Sequence, residues 1–235
     1  MTTGDATADS LDAVLGDLER DRPLLERSST AERVAEILRG HIMEGRFRPG
    51  DKLSEEGIKD ALRVSRNTLR EAFRLLAHER LLVHELNRGV FVRLLDASDV
   101  VDLFAVRRII ECAAVGRADQ PAEVIARLAA IVDDAERAAA EQRWADLGTG
   151  NMLFHQAIAG LLGSRRVDDL MRQLLAELRL VFQVMSDPRV FHEAYLPRNR
   201  AIVRTLADGD AAGAERMLHE YLRDAERELL HAYGS

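Results

Sequence analysis

Arg66, Arg70 and Arg74 recur every fourth residue, with Asn67 and Thr68 in the first gap. On a helix, at about 100° per residue, the three guanidinium groups fall within about 80° of one another, with Asn67 close by. Arginine presents a planar fork that bonds two acceptors at once, matching a phosphate or guanine O6 and N7. Asparagine pairs in a similar two-point way with adenine. The apolar residues Leu69, Ala72, Phe73 and Leu76 take the i, i+3, i+4, i+7 positions, about 110° from the centre of the arginine arc. One face packs, and the other presents basic chemistry. The competing reading of such a stripe, taken alone, is a solvated helix face.

The elements that must position this stripe favour the first reading. Ser65 stands where a helix cap belongs, and the helix it opens runs to about Glu79. Upstream, Ser29-Thr30-Ala31-Glu32 fits a capping box, the stripe Val34, Ile37, Leu38, Ile42 follows, and Gly45 is the stop. Arg48-Pro49-Gly50-Asp51 is a turn, and Ser54 caps a short helix that contains Ile58, Ala61 and Leu62. Glu55 and Glu56 suit the dipole of its first turn. Downstream, Leu81–His84 and Val90–Arg93 are rich in strand formers and flank Asn87-Arg88-Gly89, which predicts a β-hairpin. Three helices and a basic-tipped hairpin, in that order, predict a winged helix-turn-helix. Its candidate contacts to double-stranded DNA are Arg48, Ser65, Arg66, Asn67, Thr68, Arg70, Arg74, Asn87, Arg88 and Gly89. The first turn of the third helix offers free amides to phosphates, and Gly89 permits close backbone approach.

Composition sets the frame. The 235 residues carry a formal net charge of −7 and are 47% hydrophobic, enough for a core in one large domain or two smaller ones. Residues 30–95 hold 13 basic and 10 acidic side chains, net +3, which leaves −10 on the rest. A mildly basic module on an acidic body hints at a polyanion partner. The lack of any run of about 18 apolar residues predicts no membrane span, and the start MTTGDATADS lacks the features of a secretory signal. The single cysteine, Cys112, excludes an internal disulfide and a zinc-finger ligand set. A soluble, cytoplasmic protein is expected. Residues 1–28 read as a mobile arm in which Leu11–Leu18 could form a short helix, and 29–95 as the winged helix-turn-helix domain. Residues 97–233 read as an all-α antiparallel bundle for effector binding and dimerisation, with segments 97–117, 122–141, 143–162, 166–186, 189–208 and 211–233. The expected fold class is mainly α.

Polar residues on the apolar stripes of this body are its informative positions. Asn151 lies with Leu147, Phe154, Ile158 and Leu161, and His155 lies just beside them. Asn199 lies with Ile202, Val203 and Leu206; Tyr221 lies with Leu218, Leu222, Ala225 and Leu229, while His219 points about 100° away from Leu218. Arg107 lies with Leu103, Ile110 and Ala114. A buried arginine requires a partner, which is either Glu111, one turn later, or an anionic ligand. Mostly apolar surroundings with a few convergent polar groups are the composition of a small-molecule site. The competing reading is a hydrogen-bonded core network without a ligand. His41, His78, His84, His192 and His231 are expected at the surface, and Cys112 as a small packing residue. No catalytic residues are expected: His155 lacks an accompanying nucleophile, P-loop, dinucleotide fingerprint or complete metal set.

The run from Gly45 to Val92 resembles the GntR-family DNA-binding domain. Arg48-Pro49-Gly50, Leu53-Ser54-Glu55, Val64-Ser65-Arg66 with Leu69-Arg70-Glu71-Ala72, and Asn87-Arg88-Gly89 carry the likeness. The body, with Val106-Arg107-Arg108, Glu111 and Phe154-His155, resembles the FCD-type ligand-binding domain of the FadR-like branch, so the resemblance covers residues 30–230. It implies a homodimer on a short palindromic operator, with Arg66, Asn67, Arg70 and the Arg88-Gly89 wing as DNA contacts. Many members of that branch hold a divalent metal with an Asp-x-x-x-His pair and two later histidines, and the metal helps hold a carboxylate. The matching positions here are Asn151, His155, Asn199 and Tyr221, of which only His155 is such a ligand. The expectation is a metal-independent pocket without a cofactor. In it Arg107 pairs with an acidic group, supported by Glu111, Asn151, His155, Asn199 and Tyr221. The expected function is a transcriptional regulator, a repressor, modulated by a small carboxylate or acyl metabolite. The alternative is a regulator with a closed pocket, constitutive or partner-controlled; a remoter one is an enzyme using His155.

Overall fold

The computed structural model describes residues 30–117, 121–185 and 188–233. The expected arm 1–28, its Leu11–Leu18 helix and the capping residue Ser29 lie outside the described residues. The chain divides into two compact units between Val92 and Arg93.

The first unit contains α1 (30–43), β1 (Lys52–Leu53), α2 (Glu55–Leu62), α3 (Arg66–His78), β2 (Leu82–Glu85) and β3 (Gly89–Val92). Ala31, Val34, Ala35, Leu38 and Ile42 form the buried stripe of α1, and Gly45, at φ 72°, turns the chain beyond it. Ile37, expected in that stripe, is 46% exposed. Packing is centred on Ala31, Ala35 and Ile42, which leaves position 37 about 120° off the contact arc. Ala61 of α2 is also exposed, and Ile58 and Leu62 are only half-buried. In α3 the expected residues Leu69, Ala72, Phe73 and Leu76 are all buried. Arg39 of α1 donates from Nε and Nη2 to the Glu79 carboxylate at 2.7 and 2.6 Å, tying α1 to the end of α3. The hairpin is joined by β1, a strand absent from the sequence reading, in a three-stranded antiparallel sheet of order β1-β3-β2. Lys52 lies opposite Phe91, and Val83 opposite Phe91 on the other side.

The second unit is helical: α4 (Ala97–Val115), α5 (Ala122–Ala140), α6 (Trp144–Gly160), α7 (Arg165–Gln183), α8 (Pro188–Ala207) and α9 (Ala211–Tyr233). Asp96 opens α4 with a capping box closed by Asp99. Pro188, expected just before α8, is its first residue, where a missing N–H costs nothing. Helix α6 packs against α4, α5, α7 and α8, and α9 packs on α4 and α8. Small residues make the central place of α6 sterically possible. A Cβ at Gly150 would sit 2.9 Å from the Ala135 Cβ of α5. Among the described residues no helix is long and apolar enough to cross a membrane.

Candidate functional sites

The arginine stripe of α3 is positioned by its cap. Ser65 Oγ accepts the Thr68 N–H at 3.1 Å and lies 2.7 Å from Thr68 Oγ1, so Ser65 and Thr68 fix the helix start. The amides of Arg66 and Asn67 precede the first intrahelical bond, from Leu69 N–H to the Ser65 carbonyl. The side chains of Arg66, Arg70 and Arg74 are 59, 57 and 79% exposed. Each faces a carboxylate: Glu56 at 3.8 Å, Glu55 at 3.4 Å and Glu71 at 3.1 Å, respectively. Exposed pairs of this kind hold little energy, so a phosphate or base edge can displace them.

At the wing, Asn87 takes a left-handed conformation (φ 61°), and Arg88 N–H donates to the Glu85 carbonyl, closing the turn. Gly89, at φ 116°, takes a conformation in which a side chain would be strained, and its Cβ would lie 3.1 Å from Cε of the Lys52 side chain. The Arg88 guanidinium pairs with Glu85 and sits 5.4 Å over the Phe91 ring. Lys52 Nζ lies 5.9 Å from the same ring. Lys52 is thus a basic neighbour of the wing that sequence reasoning missed, because only pairing of the short β1 with β3 brings it there. Arg48 is placed elsewhere. Its turn is tied by Gly50 N–H to the Val92 carbonyl, at the opposite end of β3 from Gly89.

In the second unit, Arg107, Glu111, Asn151, His155, Asn199 and Tyr221 converge from α4, α6, α8 and α9 into one buried network. Arg107 is 2% exposed and Glu111 0%. Arg107 Nε donates to Glu111 Oε1 at 2.7 Å, and its guanidinium lies 4.8 Å over the Phe104 ring. Glu111 Oε2 lies 2.6 Å from His155 Nδ1, and His155 Nε2 lies 3.1 Å from Tyr221 Oη. Tyr221 Oη is also 3.1 Å from Asn151 Oδ1, which accepts from Asn199 Nδ2 at 2.9 Å. Burial opposes charge on Glu111, but the Arg107 guanidinium and His155 outweigh it and hold the carboxyl below its usual pKa. Burial lowers the His155 pKa, with Glu111 opposing the shift and Arg107 adding to it. A neutral His155 donates from Nδ1 to ionised Glu111, and the single Tyr221 proton serves either Asn151 Oδ1 or His155 Nε2, not both at once. Burial likewise pushes the Tyr221 phenol far up, so it stays protonated.

This donor set does not fit a transition metal. Both nitrogens of the one imidazole are engaged, and the remaining positions are amides and a phenol. Among the described residues no three His, Cys, Asp or Glu side chains are grouped to hold an ion. Four further residues complete the picture. Glu177, 2% exposed and unforeseen, lies 2.5 Å from Arg93 Nη1, whose Nη2 is 2.5 Å from Asp99. Cys112 is buried, and burial pushes its thiol up to about 11, so it packs rather than reacts. His192 corrects an expectation, because it is buried rather than at the surface. It shares its face of α8 with Tyr195 and Asn199 at i+3 and i+7, a spacing that was visible in the sequence. His41 is half-buried against Phe47, 6.1 Å between ring centres.

Burial among aromatic rings, with the Arg179 charge adding to it, brings the His192 pKa down to about 4. In the unfolded chain it returns to about 6.5. Unfolding therefore takes up a proton below about pH 6.5, and stability falls as pH falls from there towards 4. Between pH 7 and 5 the expected loss from His192 is about 2 kcal/mol, and the lowered pKa of His155 adds loss of the same sign. Urea unfolding at the two pH values measures the loss, and His192→Phe removes its own share.

A capped, arginine-faced helix beside a basic wing defines a winged helix-turn-helix regulator, here with an all-helical second unit. Residues 30–92 match the family model described as bacterial regulatory proteins, gntR family, and residues 102–224 match the FCD domain. A transcriptional regulator GntR from Rhodococcus sp. RHA1, of known crystal structure, is 47% identical with a TM-score of 0.82, and the match covers 87% of this chain and 99% of that one. The Nta operon transcriptional regulator of Aminobacter aminovorans is 30% identical over 158 residues, 64% of this chain and 72% of that protein. The gluconate operon transcriptional repressor of Bacillus licheniformis is 30% identical over 137 residues, 57% of this chain and 56% of that protein. The chain belongs to the GntR family of bacterial regulatory proteins and carries an FCD domain. It is a DNA-binding transcriptional regulator.

Proposed function

We propose that the protein is a cytoplasmic, homodimeric repressor whose hold on a palindromic operator is governed by a small carboxylate bound at Arg107. The observation that carries the reading is Arg107 itself. Its guanidinium is 2% exposed and satisfied by Glu111 through Nε, yet Nη2 has no hydrogen-bond partner. An unmet buried cationic donor costs more than a neutral one, and a carboxylate meets it with a charge-assisted bond. Glu111, His155, Tyr221, Asn151 and Asn199 orient the acid, and it acts by binding two conformations unequally. On the DNA side, Arg66, Asn67, Arg70 and Arg74 read one groove, Ser65 and Thr68 set the helix start, and Asn87, Arg88 and Gly89 enter beside it. Arg48, with Lys52 on the sheet, serves as a backbone contact. The gluconate relative is named a repressor, which supports that sign of regulation.

The test is a thermal-shift screen of small carboxylates on the full chain in chelator, run beside Arg107→Lys. Lysine keeps a cation for Glu111 but cannot fork to a second acceptor. An acid that raises the melting temperature of the wild type alone is the expected result. Stabilisation only with added zinc or nickel, or equal stabilisation of the variant, overturns it.

A further inference from the structure

The tip of the wing is apolar where a turn is ordinarily polar. Glu85 lies opposite Gly89, so Leu86, Asn87 and Arg88 form a three-residue turn. Asn87 and Gly89 carry its positive-φ backbone, and Arg88 N–H closes it on the Glu85 carbonyl at 3.1 Å. Turns favour glycine, asparagine, aspartate and serine for such duties. None of them falls on Leu86, and the fold does not bury it. At 88% it is the most exposed large hydrophobic side chain among the described residues.

A lone exposed leucine needs no explanation, but this one has company. Phe91 lies opposite Val83 on one side and opposite Lys52 on the other. Val83 is exposed and Phe91 half-buried, whereas Leu82, Val90 and Val92, which alternate to the other face, are buried. The Arg88 guanidinium and Lys52 Nζ lie 5.4 and 5.9 Å from the Phe91 ring. Both cations thus gather at Phe91, behind the turn, and the turn itself presents Leu86 and Asn87. An apolar tip backed by cations is the surface of a minor-groove reader: the cations meet phosphates, and the apolar side chain lies against sugars and base edges.

We propose that Leu86 enters the minor groove beside the major groove read by α3, and makes the wing selective for A·T pairs there. A·T pairs show only acceptors on the floor of that groove, whereas guanine adds an amino group. Leucine closing on the amino group meets its bulk and strips its water without returning a hydrogen bond. Leu86 is in this way a specificity-determining residue, and the inference rests on the reading of α3 and the wing as the DNA surface.

Operators selected from random duplexes with the full chain and with Leu86→Ala, at one salt concentration, test this. Wild-type operators are expected to carry A·T pairs flanking the α3 contacts, and those of the variant to lose them. In anisotropy titrations, changing such a pair to G·C is expected to weaken the wild type about tenfold. Inosine–cytosine, which keeps the major-groove pattern of G·C but lacks the minor-groove amino group, is expected to restore the affinity. Leu86→Ala is expected to bind all three duplexes alike, and Leu86→Met, which keeps an apolar side chain of similar length, to recover the preference. Both variants are expected to melt with the wild type, because the side chain is exposed. No A·T preference in the wild type, a preference that survives Leu86→Ala, or inosine that behaves as guanine overturns the assignment. A changed oligomeric mass in Leu86→Ala with its base preference intact also overturns it, and places the leucine against a second protein chain. If Arg66→Ala still abolishes operator binding in any of these cases, the α3 reading stands without Leu86. Full operator affinity in Arg66→Ala overturns both.

Discussion

Arg107→Ala is expected to cost about 3–5 kcal/mol of folding stability, because it strands the fully buried Glu111 carboxylate without its counter-charge. That is a large part of the roughly 5–15 kcal/mol by which a domain is usually stable. The loss is specific to removing one partner. Replacing Arg107 and Glu111 together by leucine leaves no uncompensated charge, only a His155 Nδ1 without its acceptor, and is expected to cost far less than the two single changes summed. Urea unfolding of the three variants measures the difference. A single-variant cost below about 1 kcal/mol would mean that the pair is solvated.

Arg66→Ala is the largest expected effect on DNA. The side chain projects from the first turn of α3, is 59% exposed and loses only a 3.8 Å approach to Glu56, so folding stability is untouched. A bidentate base contact is worth about 1–3 kcal/mol. The proposed dimer loses it in both half-sites, about 2–6 kcal/mol in all, so operator affinity is expected to fall by tens- to tens-of-thousands-fold. Arg74→Ala, one turn or more further along the same face, is expected to weaken operator and random duplex alike and to flatten the salt dependence. Anisotropy titrations at fixed salt, on an operator selected from random duplexes, separate the two. An Arg66 variant with unchanged operator affinity would remove this side chain from the reading surface.

What the sequence made legible was whatever a local period could carry. The α3 stripe, its Ser65 cap, the hairpin and the six body helices all follow from spacings within a few turns, and the structure agrees on them. The inward facing of Arg107, Asn151, His155, Asn199 and Tyr221 was legible on the same basis. The Arg107–Glu111 pair was one of two partners the spacing offered, but that His155, Tyr221, Asn151 and Asn199 join it in one buried polar network was not legible, because it depends on which inner faces pack, and α6 has four neighbours to choose from. Strand β1 is too short to show an alternation, and it exists only because Lys52 finds Phe91 across the sheet. Glu177 was invisible for the same reason, since its partner Arg93 is 84 residues away. His192 is different: its spacing from Asn199 placed it on the inner face, and the polar neighbours Glu193 and Arg189 masked the stripe.

One titration tests most directly whether a carboxylate at Arg107 governs DNA binding. Full-length protein bound to a fluorescent operator is titrated with a carboxylate that stabilises it, and the same is done with Arg107→Lys. The acid is expected to release the wild type from DNA and to leave the variant bound, since the ligand acts only through its unequal affinity for two conformations. Release of both proteins alike, or an acid that stabilises the wild type without changing its hold on the operator, would contradict it.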